Sequence, residues 1–127
     1  MFHYIAFQPV PDRELSFPLL VRKMAEAFRF LGSLYTELGY AEELLTISLT
    51  LDNTEDVRLV LPEKPQARFL CRIPKISITM TRSAADLASG EAAHAARMTA
   101  EIAERFNISD QYLRDLPGKI DDYLEQR

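Results

Sequence analysis

Apolar and polar residues alternate through residues 44–81, LLTISLTLDNTEDVRLVLPEKPQARFLCRIPKISITMT, and segments of helical periodicity lie on both sides of that block. Leu45, Ile47, Leu49 and Leu51 alternate with Thr46, Ser48, Thr50 and Asp52, the signature of a half-buried strand over 44–51. The polar run from Asp52 to Asp56 is rich in side chains that bond their own backbone, so it reads as a turn. Val57, Leu59 and Leu61 then predict the second strand of a hairpin, over 57–61. Beyond the Pro62-Glu63-Lys64-Pro65 turn, Phe69, Cys71 and Ile73 share one parity, and Ile76, Ile78 and Met80 share the other. The parity flips at Pro74. A single long strand over 66–81 with a bulge at Pro74 accounts for the flip, because a bulge re-aims side chains by one position.

Residues 2–8 read as a short strand, apolar on both faces and so buried on both sides, which Pro9 and Pro11 end. An apolar start at Phe2 suggests a piece of a longer polypeptide. A helix over 16–38 follows. Ser16 is its N-cap, Pro18 lies in its first turn, and Gly39 closes it. Its core stripe is Leu20, Met24, Phe28, Leu31, Tyr35 and Leu38, while Gly32 leaves room for another backbone. A second long helix is expected over 83–106, capped by Ser83 with Asp86, with Gly90 as a point of interruption and Asn107 as its stop. Its alanine-rich stripe lets it sit close on a sheet. Ser109 caps a C-terminal helical segment over 110–125, which Pro117-Gly118 is expected to divide in two. The whole is one α+β domain, an antiparallel sheet covered on one face by the two long helices.

The 127 residues are 47% hydrophobic, enough for one core without a disulfide or metal staple. A lone cysteine, Cys71, points to a reducing, cytoplasmic setting. No apolar run reaches the length of a membrane span, and the start resembles no signal peptide. Net charge is −4 and unevenly placed. Residues 57–82 hold six basic side chains against one acidic, so +5, which leaves −9 for the rest.

Chemistry-bearing residues are sparse. Cys71 shares its parity with Phe69 and Ile73 and reads as core, not as a nucleophile. His3 and His94 lie far apart and read as structural. With one cysteine they make no zinc set, and no cofactor is implied. Glu42-Glu43 and Asp121-Asp122 read as solvated ends. No HExxH, CxxC, GxSxG, P-loop or GxGxxG is present, so the chain leans away from catalysis. The outward face of the β block is the expected binding surface. It sets the hydroxyls of Thr46, Ser48, Thr50, Thr79 and Thr81 beside Arg58, Arg68 and Arg72, a combination suited to phosphate or an acidic partner. It shows no aromatic side chain on which a base would stack.

Two stretches resemble known families. TAEIAERFNISDQYLRDL, residues 99–116, resembles a bacterial-regulator helix-turn-helix, with Ala103 in the first helix, Asn107 where the turn usually has glycine, Ile108 and Ser109 entering the second helix, and Leu113 and Leu116 as its core. That resemblance implies a second helix in the major groove. Asp110 and Asp115 against one Arg114 depart from it. The run FRFLGSLYTELGY followed by ELLTISLTLDNTEDVRLVLP is similar to the region after the AlbA-like domain of Schlafen-type DNA-binding, ATP-binding bacterial proteins. Its matching features are Phe28, Leu31, Tyr35, Gly39-Tyr40, the alternating strand and Val57-Arg58-Leu59. This resemblance implies an accessory domain of a nucleic-acid-associated protein and transfers no functional residue. The leading expectation is a non-catalytic accessory or interaction domain that binds a protein partner or its own copy. A DNA-binding regulator using residues 99–116 comes second, and a small enzyme whose site forms only in the fold comes third.

Overall fold

A computed structural model describes residues 13–64 and 66–125, together with the backbone of residues 2–7. The elements run β1 (Phe2–Phe7), β2 (Glu14–Ser16), α1 (Phe17–Glu37), β3 (Leu44–Asp52), β4 (Arg58–Val60), β5 (Phe69–Leu70), β6 (Lys75–Ser83), α2 (Ala84–Ser89), α3 (Glu91–Ala103) and α4 (Asp110–Glu125). The class is α+β, as the alternation and periodicity predict. The expected burial of both faces of 2–8 concerns side chains outside the described residues.

Helix α1 follows its local signals closely. The Ser16 hydroxyl accepts from the Leu19 amide at 3.4 Å, and Pro18 occupies the first turn. At the other end Gly39 takes φ 90°, Gly39 N–H donates to Thr36 O at 3.1 Å, and Tyr40 N–H donates to Tyr35 O at 2.8 Å. That is the paired bonding of a Schellman end, which only a residue tolerant of positive φ completes cheaply. Phe17, Leu20, Val21, Met24, Ala25, Phe28, Leu31 and Gly32 form the buried side. A Cβ at Gly32 would collide with the Ala88 amide and sit 2.8 Å from Ala84 O, so the glycine does admit another backbone, that of α2.

The strands form two three-stranded sheets, not one. The larger has the order β1-β3-β6. β3 and β6 pair antiparallel over nine residues, from Leu44↔Ser83 to Asp52↔Lys75, and β1 runs parallel to β3 on its other side. Leu45, Ile47, Leu49 and Leu51 bury one face with Ile76 and Ile78. The smaller sheet has the order β2-β4-β5, with β2 parallel and β5 antiparallel to β4.

This arrangement corrects the expected hairpin. β4 does not pair with β3. Asn53 and Asp56 adopt left-handed conformations (φ 56° and 64°), and the loop bonds sideways. Thr54 N–H donates to Pro74 O at 3.1 Å, the Thr54 hydroxyl donates to Ile73 O at 2.7 Å, and Asp56 N–H donates to Cys71 O at 2.8 Å. The chain is thereby led out of one sheet and into the other. The expected single strand over 66–81 is likewise two strands, β5 and β6, one in each sheet. The parity flip at Pro74 marks that change of sheet rather than a bulge. Proline, with no N–H to give a ladder, stands where neither sheet needs one.

The helix expected over 83–106 is divided at Gly90 (φ −119°, ψ 28°) into α2 and α3. The Ser83 hydroxyl caps α2 by accepting from Asp86 N–H at 3.2 Å. Conversely α4, expected to split at Pro117-Gly118, is continuous through both. Pro117 lies on the exposed side, while Tyr112, Leu116, Ile120, Tyr123 and Leu124 are buried on the other side. A proline inside a helix costs roughly 3 kcal/mol, and burying five large side chains outweighs it at about 1.5–3 kcal/mol each.

Candidate interaction surface

The hydroxyl half of the expected surface forms as one row. Thr46 Oγ1 lies 3.2 Å from Thr81 Oγ1 and Ser48 Oγ 3.1 Å from Thr79 Oγ1, and Thr50 stands opposite Ser77. These hydroxyls satisfy one another across the strands, and Thr50 is buried. The arginine half lies elsewhere, on the smaller sheet and its loops. Arg58 is half-buried, paired with Glu14, and donates to Ala67 O at 3.2 Å. Arg72 reaches Asp56 at 3.4 Å with both side chains exposed, and Arg68 is exposed just before β5. The structure therefore does not gather Arg58, Arg68 and Arg72 around Thr46, Ser48, Thr50 and Thr79. Sheet membership, which alternation does not reveal, separates them.

The densest polar cluster lies where the loop after β4 meets α4. The Glu63 carboxylate accepts from the Tyr123 hydroxyl at 2.6 and 2.8 Å and from the Tyr112 hydroxyl at 3.4 Å, and Lys119 Nζ stands 3.9 Å away. Lys64 and Lys119 lie over the Tyr112 ring, 5.1 and 5.3 Å from its centre. Burial first, then the Glu63 charge, pushes the Tyr112 hydroxyl up to about 12. Burial and the bond to Glu63 push Tyr123 higher still. Both phenols stay protonated and donate. These bonds fasten α4 to the loop after β4.

Cys71 and His94 are held within the fold. Cys71 is fully buried and its thiol lies 3.4 Å from Ile73 O. His94 Nε2 lies 3.1 Å from Asp86 across the Gly90 break and ties α3 to α2. His3 has its side chain outside the described residues. Among the described residues no group of three His, Cys, Asp or Glu could hold a metal, and no helix is long and apolar enough to cross a membrane. The 99–116 segment is two helices joined by a six-residue link, 104–109, longer than the three or four residues usual in the DNA-binding motif. The outward side of α4 presents Asp110, Asp115, Asp121, Asp122 and Glu125 against Arg114, a surface that repels phosphate.

One apolar surface was not expected. Phe30, Leu34 and Leu38 recur every four residues on α1, and they point out of the domain at 65%, 36% and 58% exposure. Leu38 thus leaves the core stripe assigned to it from periodicity. Leu19 on the same helix, and Tyr40 and Leu44 after its end, are exposed as well. The signal was present in the sequence: α1 carries apolar residues around more of its circumference than one core requires. Comparison of the chain with protein-family models, with curated proteins and with solved structures found no match.

Proposed function

We propose that this chain is a non-catalytic interaction domain that docks a protein helix on the outward side of α1. The observation that carries the proposal is the row Phe30, Leu34 and Leu38. A protein surface tolerates scattered exposed leucines, but an aromatic and two leucines in one helical row make a feature of the kind that marks interfaces. Covering Phe30 and Leu38 would contribute on the order of 1–2 kcal/mol each, since each is already partly covered. Aromatic anchors of this type carry a large share of interface energy.

The test is a photo-crosslinking residue placed at position 30 in the host cell, with a second placed at position 114 on the outward side of α4. Discrete adducts from position 30 and none from position 114 are expected. Equal labelling from both positions, or none from position 30, overturns the proposal.

A further inference from the structure

Apart from the row on α1, we infer that the outer edge of β6 takes up an extended acidic peptide as a fourth strand of the larger sheet. In the order β1-β3-β6 the last strand has one neighbour, and among the described residues no backbone group bonds to its other side. In an antiparallel ladder alternate residues turn both N–H and C=O away from the neighbouring strand, so every second residue of β6 offers a donor and an acceptor at that edge. Proteins ordinarily blunt an edge by keeping it short, breaking it with proline or a bulge, or placing charge along it. The smaller sheet does so by length, since its edge strands β2 and β5 have three and two residues. β6 runs nine residues in unbroken register with β3 and contains no proline. Its charges, Lys75 and Arg82, stand towards its ends, and Lys75 lies 3.8 Å from Asp52. The middle, from Ser77 to Thr81, carries no charge that would keep another strand away.

The chemistry of the guest follows from the cleft beside that edge. Ile76, Ile78, Met80 and Arg82 share one side of β6, the side on which Ile76 and Ile78 are buried. A cleft of about 270 Å³ lies between β6 and α3, with Ile78, Met80 and Arg82 on one wall and Arg97 and Glu101 on the other. A strand added to the edge sends every second side chain to this side of the sheet. Those beside Ile78 and Met80 meet apolar atoms. The next in alternation reaches the Arg82 end and meets a guanidinium, with Arg97 lining the same cleft. Neither arginine has a carboxylate partner among the described residues, and the cleft sets these two cations against the single acid Glu101. The guest that fits is an extended segment with apolar side chains at alternate positions and an aspartate or glutamate at the next. Main-chain bonds give such an added strand its affinity, and the alternate side chains give it specificity. A second copy of β6 would instead bring Lys75 and Arg82 to an edge that is already positive, so charge favours the acidic peptide over self-pairing.

Selection of displayed random peptides on the purified chain is the test, with Arg97→Glu as the counter-target. Arg97 is exposed and makes no ion pair, so the variant should keep the wild-type circular dichroism. Enriched peptides should alternate apolar residues with an acid next in the alternation. Their synthetic forms should bind Arg97→Glu about tenfold more weakly than the wild type, and exchanging the peptide's acid for lysine should recover most of that loss on the variant. N-methylation of one alternate set of peptide amides should weaken binding about tenfold and of the other set less than about twofold, because only one set faces β6. Amide resonances of residues 75–83 should shift on titration. No enrichment (with or without a dimer in sedimentation), enriched peptides that need no acid, equal tolerance of N-methylation at every amide, or shifts confined to other elements would each overturn the inference. Adducts from position 30 report on α1 alone, so the two readings stand or fall separately.

Discussion

Helices α1 and α4 solve the same problem differently. In α4 the apolar residues Tyr112, Leu116, Ile120, Tyr123 and Leu124 are all buried, and the outward side is charged. Its composition is accounted for by the domain's own core. In α1 the buried stripe from Phe17 to Gly32 does that work, and a second apolar row, Phe30, Leu34 and Leu38, remains in solvent. The core of this domain includes the first row and not the second. A helix that exposes a phenylalanine and two leucines at a four-residue spacing carries a feature that the monomer's core does not explain. The comparison separates what the fold needs from what a partner would use.

The sharpest division is between two aromatic residues two positions apart on α1. Phe28 is fully buried, in contact with the core that joins α1 to the sheet and to the other helices. Phe28→Ala should lower the unfolding free energy by about 3–5 kcal/mol, read from urea melts, since the substitution removes transfer free energy and leaves a cavity. A loss below about 1 kcal/mol would mean that the two sides of α1 are less distinct than their burial says.

The attachment of α4 supplies a prediction with a pH signature. Tyr112 and Tyr123 are both raised above the ordinary phenol value of 10.0, Tyr112 to about 12. Above pH 10 the unfolded chain releases protons that the folded chain keeps, so the folded state is progressively disfavoured. The stability that these phenols contribute is fully present below pH 10 and is lost as pH rises towards 12 and beyond. The slope should approach about 1.4 kcal/mol per pH unit for each tyrosine. Tyr123→Phe should cost about 1 kcal/mol at pH 8 and make the alkaline limb shallower. Denaturant melts between pH 8 and 11 read both, and an unaltered limb in the variant would detach Tyr123 from the effect.

How much of this was legible depended on whether the determinant was local. The Ser16 cap, the Gly39 end, the Ser109 cap and the core stripe of α1 from Leu20 to Leu31 are set within a few residues, and the structure keeps them, while Leu38 leaves the stripe for solvent. The flip at Pro74 was visible as an event, but its meaning was not. Alternation reports which side of a strand is buried and says nothing about which sheet the strand joins. For that reason the expected hairpin dissolved, β2 (three residues paired with a distant strand) went unseen, and Arg58 parted from Ser48. Pro117 failed as a breaker because tertiary burial of one face of α4 overrode a local penalty. The outward row on α1 was written in the periodicity too. Spacing alone does not say which of two apolar rows faces the core.

The smallest expected effect tests that last ambiguity. Phe30→Ser removes the most exposed of the large apolar side chains from the middle of α1. Phenylalanine and serine have nearly equal helix propensity, so the change leaves the helix itself unbiased and isolates what the ring contacts. The unfolding free energy read from urea melts should change by no more than about 0.5 kcal/mol, the usual range for an exposed site. A large loss would place Phe30 in the domain's own core.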